Sequence, residues 1–304
     1  MSDRITAQEV APATVAEHRA RLKRASIGQH TLTYVDAGPR DGRVIVPVHG
    51  MPTNSWLWRK IIPPLANAGL RVIAPDMLGF GASDKPEDLN EYKLDKQANR
   101  IIALMDHLGI QQWTQIGHDL GGPWTCEVVD RATDRLQGLI ILNTSAYRDG
   151  FKPPAMIKMM GGPIGPLMLN MMGSRVTGPL MMTGFFKMFV GHAQVIDRAA
   201  VEGYWLPLHE GTTRPFRQFT SNFPQMFAQF DRYQAALRRL NKPALIMWGK
   251  KDAVLDHVKL PAQFARDLRV PPERVIVFDD ANHFLQEDKA GPIAANIVKF
   301  LKEN

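Results

Sequence analysis

The sequence predicts an α/β fold in which a mostly parallel β-sheet is covered by helices on both faces. Short apolar runs, which are typical of buried strands, alternate along the chain with longer segments whose apolar residues recur at helical spacing. At 304 residues, with 45% hydrophobic and 22% charged residues, the chain has the size and composition of a globular protein with a large core. In sheets of this kind, ligands bind beyond the carboxyl ends of the strands.

Strands and helices are predicted to alternate over most of the chain. The strands are expected at residues 31–36, 44–48, 71–74, 114–117, 138–142, 244–248 and 275–278. The helices are expected around residues 56–68 and 94–108, from the end of the fourth strand through residue 129, and at 291–301. The first two strands flank a turn at 38–42 and are expected to form a hairpin or to be neighbours. The polar residues at the strand ends are His49, Asp76, Asp119, Asn143, Asp252 and His283.

Residues 147–223 interrupt this alternation and are predicted to form a helical cap, inserted into a core of residues 1–146 and 224–304. The segment is helical in tendency, broken by Gly and Pro, and rich in methionine. Its methionines include Met156, Met159, Met160, Met168, Met171, Met172, Met181, Met182 and Met188. Such flexible apolar side chains suit an adaptable pocket wall, and they equally suit packing of the cap on the core or on another subunit.

The composition argues against several classes of partner. The net charge of +7 is spread along the chain and interleaved with acids, so no nucleic-acid partner is expected. No apolar run is long enough to span a bilayer, because the uncharged stretch 159–174 is broken by glycine and proline, and no membrane partner is expected. Residues 1–10 are polar and charged, unlike a secretory signal, so a cytoplasmic location is expected. The single cysteine, Cys126, excludes a disulfide framework and is expected to be a small buried residue.

The turn Gly117-His118-Asp119-Leu120-Gly121-Gly122 lies between a predicted strand and a predicted helix. A small residue on each side of a central nucleophile is typical of the nucleophile elbow, here with Asp119 in the place that serine hydrolases give to serine. The amino end of the following helix favours an ionised carboxylate. The alternative is an aspartate that caps the helix beside a glycine turn.

Two later residues favour the catalytic interpretation. Asp252 follows a core strand and His283 follows the next, and the chain order of nucleophile, acid and histidine is that of the α/β-hydrolase fold. Asn143 is neutral, so Asp252 is the better partner for the imidazole. The backbone N–H groups of Met51 and Leu120 are expected to form the oxyanion hole.

Other motifs are interpreted as structural. The run Gly79-Phe80-Gly81 lacks the third glycine of a dinucleotide fingerprint and opens no clear helix, so we predict a turn. His49 and His118 are expected to be hydrogen-bonded structural residues, and the histidines have no spacing for zinc. No cofactor and no metal are therefore predicted.

An aspartate nucleophile changes the chemistry of the fold. A carboxylate is already ionised and can displace a leaving group from a saturated carbon, which forms an alkyl-enzyme ester. A histidine then activates the water that hydrolyses this ester. Attack on an ester substrate would give a labile anhydride, so esterase, lipase and peptidase activities are disfavoured. Departure of a halide or opening of an epoxide remains.

The motifs that carry a family resemblance are His49-Gly50-Met51-Pro52-Thr53 with Leu57-Trp58-Arg59, Val72-Ile73-Ala74-Pro75-Asp76 with Gly79-Phe80-Gly81 and Ser83-Asp84-Lys85-Pro86, Gly117-His118-Asp119 with Gly121-Gly122, His283-Phe284-Leu285-Gln286-Glu287, and, in the cap, Tyr204 with Pro207 and Arg214-Pro215. Through these motifs residues 26–301 resemble the haloalkane dehalogenases, which are related to the epoxide hydrolases. The resemblance implies that Asp119 is the nucleophile, His283 the base and Asp252 the acid that orients it.

The chain departs from the dehalogenase pattern at two positions. Dehalogenases usually have a halide-binding Trp directly after the nucleophile and many have an Asn after the His-Gly pair, whereas this chain has Leu120 and Met51, which donate no side-chain hydrogen bond. Candidate replacement donors are Trp205, Trp124 and Trp56, although a tryptophan in such a position is more often a packing residue. Epoxide opening needs a phenol in the cap, and the candidates are Tyr204 and Tyr147. Phe216 and Phe219 stand where a further tyrosine would be sought.

The sequence therefore predicts a hydrolase that acts on a small apolar organic substrate, with carbon–halogen hydrolysis as the first hypothesis. Epoxide hydrolysis is the alternative, and another hydrolytic specificity stays open. A hypothesis from a different class is a ligand-binding or interaction protein on the same fold, for which the methionine-rich cap would be a docking surface. The oligomeric state is left open.

Overall fold

The computed structural model describes residues 9–304, so most of the polar N-terminal segment considered above lies outside the described residues. An eight-stranded sheet forms the centre of the fold. Its strands are β1 (Lys23–Ile27), β2 (His30–Ala37), β3 (Val44–Val48), β4 (Arg71–Pro75), β5 (Trp113–Asp119), β6 (Leu136–Thr144), β7 (Ala244–Gly249) and β8 (Val275–Phe278). The strand order is β1-β2-β4-β3-β5-β6-β7-β8, and only β2 runs antiparallel to its neighbours β1 and β4.

The helices lie between and after these strands. They are α1 (Val15–Arg21), α2 (Ile62–Asn67), α3 (Leu94–His107), α4 (Gly121–Ala132), α5 (Ala155–Gly161), α6 (Gly165–Gly173), α7 (Gly178–Met188), α8 (Arg198–Pro207), α9 (Thr213–Ser221), α10 (Phe223–Phe227), α11 (Phe230–Arg239), α12 (Lys259–Leu268), α13 (Leu285–Asp288) and α14 (Ala290–Lys302). Short 3₁₀ helices are Ser55–Trp58, Leu89–Tyr92, Thr133–Arg135, Ala193–Val195 and Pro272–Arg274, and a π-helical turn is Leu208–Thr212.

The predicted α/β fold is confirmed, with one error in strand pairing. Strands β2 and β3 were expected to form a hairpin or to be neighbours, but β4 lies between them. Strand β3 is almost entirely buried and pairs in parallel with β4 and β5, so it belongs in the middle of the sheet. The turn at 38–42 therefore carries the chain past the position of β4. Only a glycine fits at position 38 of this turn, because a Cβ there would lie 2.1 Å from the Leu70 carbonyl oxygen.

Two apolar clusters fill the space on the two sides of the sheet. Helices α3, α4, α11 and α12 contribute to one cluster, and α2 and α14 contribute to the other. Cys126 is buried in the first cluster, as the sequence predicted. Among the described helices none is long and apolar enough to cross a membrane.

Helices α5 to α10 are inserted between β6 and β7, beyond the carboxyl ends of the strands. They fall largely within the interval 147–223 that the sequence assigned to a cap, and the division into core and cap stays a prediction. Met160, Met172 and Met182 turn inward and are buried, whereas Met159 and Met188 are exposed. The methionines of this segment therefore do not all serve as packing residues.

A buried ion pair fastens these inserted helices to the core. Arg59 donates to both carboxylate oxygens of Glu287, at 2.5 and 2.9 Å, and the Tyr204 hydroxyl of α8 donates to Glu287 Oε1 at 2.5 Å. Burial opposes the charge on Glu287, but the attraction and hydrogen bonds of Arg59 keep the pKa of this carboxyl below its ordinary value. Since Glu287 lies four residues after His283, the pair also fixes the segment that carries the histidine.

We expect Glu287→Gln to lower the free energy of unfolding by about 3–5 kcal/mol, because it leaves the Arg59 guanidinium buried without its counter-charge. Tyr204→Phe removes one hydrogen bond from the same carboxylate and is expected to cost about 1.5 kcal/mol. Urea denaturation followed by circular dichroism measures both changes. The matched control is Asp279→Asn in the exposed Lys250–Asp279 pair, for which a change within about 0.5 kcal/mol is expected. Equal effects at Glu287 and Asp279 would contradict the role given to burial.

Candidate active site

Asp119 ends strand β5 on a turn that few residues adopt. Its φ angle is 51°, in the left-handed region that disfavours side chains, and helix α4 begins two residues later. The neighbouring glycines are sterically required, because a Cβ on Gly121 would lie 2.5 Å from the Val48 carbonyl oxygen and one on Gly122 would collide with Thr144. The packed backbone thus holds the strained turn and directs the Asp119 side chain away from the sheet.

Two groups contact the Asp119 carboxylate. The backbone N–H of Met51 donates to Oδ1 at 2.6 Å, and Nε2 of His283 lies 3.4 Å from Oδ2. Gly50 allows this approach, since a Cβ at that position would collide with the carboxylate. Of the two predicted oxyanion-hole donors only Met51 makes this contact, because within residues 9–304 the Leu120 N–H has no hydrogen bond to Asp119.

The other ring nitrogen of His283 is held by a chain of hydrogen bonds. Nδ1 lies 2.8 Å from Asp252 Oδ2, which also accepts from the Asn143 side-chain amide at 2.7 Å. Asp252 Oδ1 accepts from the backbone N–H groups of Val254 and Leu255 at 2.8 and 3.0 Å. Asn143, predicted to be the weaker partner of the imidazole, therefore positions Asp252 instead of contacting the ring.

The two carboxylates determine the charge state of the imidazole. Burial opposes a charged His283, but the attraction of Asp252 and the hydrogen bonds to Asp119 and Asp252 outweigh it and raise the pKa of His283 to about 10. Burial likewise opposes a charged Asp119, yet the hydrogen bond and attraction of His283 lower the pKa of this carboxyl below its ordinary value. Near neutral pH the site therefore holds an imidazolium between two carboxylates.

His118 and His49 have the structural roles that the sequence predicted. His118 lies with Nε2 at 2.9 Å from the His283 carbonyl oxygen, and burial lowers its pKa to about 4, so the neutral ring donates to the backbone of the loop that carries His283. His49 accepts from the Met77 N–H at 3.0 Å through Nε2, and its Nδ1 lies 2.8 Å from the Gly50 carbonyl oxygen. Both rings thus stabilise the backbone near Asp119 through hydrogen bonds.

The glycine-containing turn after β4 holds a buried carboxylate. Asp76 accepts from the Thr33 hydroxyl at 2.7 Å and from the N–H groups of Ser55 and Ala82 at 2.8 and 2.9 Å. Gly81 has a φ of 53° and lies against this carboxylate, where a Cβ would collide with it. The turn is structural. Among residues 9–304 no three His, Cys, Asp or Glu side chains are grouped so that they could hold a metal ion.

Asp119 and His283 line an apolar cavity under the inserted helices, and the empty space, including its mouth, is about 700 Å³. The other lining residues are Met51, Leu120, Pro123, Thr144, Ser145, Phe151, Pro153, Pro154, Ile157, Phe185, Phe189, Phe223, Met226, Val254, Leu255 and Phe284. The two hydroxyl groups among them are engaged, since Thr144 donates to the Asp119 carbonyl oxygen and Ser145 to the Tyr147 carbonyl oxygen. Among the described residues that line the cavity, His283 is therefore the one remaining side-chain donor, and both of its ring nitrogens face carboxylates.

The two tyrosines that the sequence offered as acids do not line this cavity. The Tyr204 hydroxyl donates to Glu287, and the Tyr147 hydroxyl donates to Asp267 at 3.1 Å. Burial and the neighbouring carboxylate raise the pKa of each phenol above its ordinary value. These residues are packing and bridging groups, so the expectation that either one faces the substrate is wrong.

The three candidate tryptophans also lie outside the cavity lining. Trp205 donates through Nε1 to the Ser174 carbonyl oxygen at 3.2 Å. Trp56 and Trp124 are fully buried, and their Nε1 atoms have no partner within the described chain. No local pattern in the sequence indicates where these rings point, and in the structure each packs outside the cavity lining.

The sequence did not identify the phenylalanines that form much of the wall, Phe151, Phe185, Phe189, Phe223 and Phe284. Phe284 had a usable signal, because it directly follows His283. The others lie near the ends of the inserted helices, where only the packing decides which side chains face the cavity.

Comparison with known proteins agrees with this geometry. The family described as alpha/beta hydrolase fold matches residues 43–290. A haloalkane dehalogenase from Mycolicibacterium paratuberculosis is 30% identical over 275 residues, which cover 88% of this chain and 86% of that protein. A cis-3-alkyl-4-alkyloxetan-2-one decarboxylase from Xanthomonas campestris is 30% identical, covering 90% and 93% of the two chains. Epoxide hydrolase A from Mycobacterium tuberculosis is 26% identical, covering 89% and 94%. The chain thus belongs to the α/β-hydrolase family and is a hydrolase.

Proposed function

We propose that the protein hydrolyses a carbon–halogen bond in a small apolar substrate through a covalent ester of Asp119. The observation that carries the proposal is a carboxylate, not a hydroxyl, on the left-handed turn at the floor of an apolar cavity, within reach of His283. Such a carboxylate attacks a saturated carbon without prior deprotonation. The inserted helices serve as the cap that excludes bulk water from this carbon.

In the first step Oδ2 of Asp119 displaces the halide. Oδ1 is held by the Met51 N–H, which leaves Oδ2 as the attacking atom and orients the carboxylate. A carbon–oxygen bond forms as the carbon–halogen bond breaks, and the halide leaves with the electron pair. The ester carbonyl oxygen is then Oδ1, so the Met51 N–H already stands where charge develops during hydrolysis.

In the second step His283 acts as the base, and alkylation of Asp119 makes this possible by lowering the pKa of the imidazole. An imidazolium with a pKa of about 10 cannot accept a proton at neutral pH. Alkylation removes the negative charge of Asp119, one of the two carboxylates that hold the proton, so the pKa of His283 falls and the imidazolium releases its proton to the solvent. The neutral ring, still oriented by Asp252, takes a proton from water as the hydroxide attacks the ester carbonyl carbon. On collapse the departing alkoxide takes the proton of the added hydroxyl and leaves as the alcohol, which restores the Asp119 carboxylate beside the protonated His283.

The cavity favours a halide over an epoxide oxygen as the leaving atom. An opening epoxide produces a strongly basic alkoxide that requires a proton, and neither tyrosine lines the cavity. A halide is a weak base that needs only partial solvation. Phenylalanines such as Phe185 and Phe189 line the cavity, and a positive ring edge turned towards the halide would supply a weak form of this solvation. Epoxide hydrolysis stays the second candidate, supported by the Mycobacterium tuberculosis relative.

We expect bromoalkanes to release halide and acid together, whereas the second candidate function would instead release diol from an epoxide panel. The variant His283→Gln should accumulate an alkyl ester, because the base for its hydrolysis is missing. Intact-mass spectrometry after incubation with a turned-over substrate measures this adduct. Asp119→Asn is the matched control and should give no adduct.

Either of two results would contradict this scheme. Turnover of an epoxide without turnover of any haloalkane would show that the leaving atom is an epoxide oxygen and not a halide. Absence of an adduct in His283→Gln, with a substrate that the wild type hydrolyses, would contradict the covalent step. Inactivity toward both panels would favour the non-enzymatic hypothesis.

Stability of the substrate-free protein should fall as the pH rises. The folded-state pKa of His283, about 10, is raised above the ordinary 6.5, so its contribution is complete below about pH 6.5 and is lost as the pH passes through about 10. We expect the free energy of unfolding, measured in urea, to fall across this window more steeply in the wild type than in His283→Gln. Asp119→Asn, which retains one of the two carboxylates, should be intermediate, and parallel curves for the three proteins would be inconsistent with the charge state assigned here.

A donor placed at Met51 should accelerate halide departure. Met51→Asn retains the backbone N–H and adds a side-chain amide in the cavity wall, and a hydrogen bond to a developing anion is expected to raise kcat for bromoalkanes about tenfold. Met51→Leu is the control of similar size without a donor. Steady-state halide release measures both, and equal rates for the two variants would show that halide solvation does not limit the reaction.

A further inference from the structure

The outer face of α5, α6 and α7 is apolar and uncovered. Seven of the eleven exposed large apolar residues of the described chain lie between residues 159 and 188, which is a concentration and not scatter. They are Met159, Ile164, Leu167, Met171, Val176, Leu180 and Met188. Val176 and Leu180 are the most exposed, at 88% and 78%. Because α6 packs on both α5 and α7, these residues belong to neighbouring elements, and together they are called the outer face.

Helical spacing places the exposed residues of α7 on one side. Leu180, Lys187 and Met188 recur at the i, i+7 and i+8 positions, while Met182 and Phe186 are buried on the opposite side. The helix is therefore apolar on both sides. A helix with this pattern is normally covered all round, so the outer face lacks a partner.

The segment that carries the outer face contributes cations and no acids, and the acids Asp197 and Glu202 of the next helical segment lie beside it only near Leu180. From residue 150 to residue 196 the chain contains no Asp or Glu and four Lys or Arg residues, Lys152, Lys158, Arg175 and Lys187. All four are exposed, and none forms an ion pair with a carboxylate in residues 9–304. Lys158 adjoins the exposed Met159, and Lys187 adjoins the exposed Met188.

We propose that the outer face docks on an anionic lipid surface. Protruding apolar side chains among unpaired cations suit partial insertion between anionic headgroups, which such residues accomplish without spanning the bilayer. The expectation of no membrane partner rested on the absence of a spanning run, and a helix that lies on a surface needs none.

A second copy of the chain fits this face less well. A symmetric dimer places the same patch on both sides of the interface, which would bring the unpaired cations of one copy towards those of the other, while the acids Asp197 and Glu202 lie only at the Leu180 end of the face. The lipid surface supplies the missing negative charge.

The helices that carry the outer face also enclose the cavity. Ile157 of α5, Phe185 of α7 and Phe189, which directly follows α7, line the cavity, so α5 and α7 have one side on the outer face and the other on the apolar cavity. An apolar compound dissolved in the lipid would meet the protein at the helices that enclose its binding space. The docking itself does not depend on the reaction proposed for Asp119.

Flotation with vesicles tests the inference on the full chain. We expect the protein to float with vesicles containing about one-third phosphatidylserine, not with pure phosphatidylcholine vesicles, and to be released by high salt. The double variant Lys158→Glu/Lys187→Glu should weaken binding about twentyfold or more, at about fivefold for each cation. The double variant Val176→Ser/Leu180→Ser should weaken it as well, since it removes the most exposed apolar side chains.

Matched controls lie on the core. Lys299→Glu/Lys302→Glu changes two exposed lysines of α14, and Val258→Ser changes an exposed valine at the start of α12, and both should bind vesicles as the wild type does. Circular dichroism of every variant verifies folding. Failure of the wild type to float with anionic vesicles, or equal loss in the core controls, would overturn the inference. So would sedimentation velocity showing a wild-type dimer that the outer-face variants convert to monomer.

Discussion

The imidazole of His283 lies between the carboxylates of Asp252 and Asp119, and the rest of the active site depends on this arrangement. Asp252 is held by Asn143 and by two backbone N–H groups, so it is the fixed side of the pair. Asp119 is the side that changes under the proposed mechanism, because alkylation turns it from an anion into a neutral ester. The same ring is therefore held charged before the first step and freed to act as a base after it.

The surroundings of these three residues serve to hold the ring and the turn in place. His118 donates to the His283 carbonyl oxygen, and the buried pair of Arg59 and Glu287 anchors the segment that follows the histidine. Burying this ion pair costs desolvation free energy. The pair nevertheless joins the inserted helices to the core, because the Tyr204 hydroxyl also donates to Glu287. The same ion pair thus joins the inserted helices to the segment that carries His283.

The sequence predicted the features that depend on local rules. Strands β3 and β8 were located to the residue, because each is a short apolar run between turns. The three residues of the proposed triad lie together as the chain order predicted, since strand ends in a parallel sheet meet at one edge. Strand β1 was missed because it lies at the edge of the sheet, where exposed lysine and arginine replace the apolar pattern.

Features that depend on side-chain direction could not be predicted in this way. Trp124 and Tyr147 follow strands β5 and β6 closely, yet each ring is turned into the packed core by neighbours from distant parts of the chain. The cavity is walled instead by phenylalanines whose exposure depends on how α5, α7 and α10 pack. Those helices are apolar towards the cavity and, in α5 and α7, towards the outside as well. The cavity side of these helices suits an apolar substrate, and the outer side suits an apolar surface. A substrate that enters from lipid would match both sides.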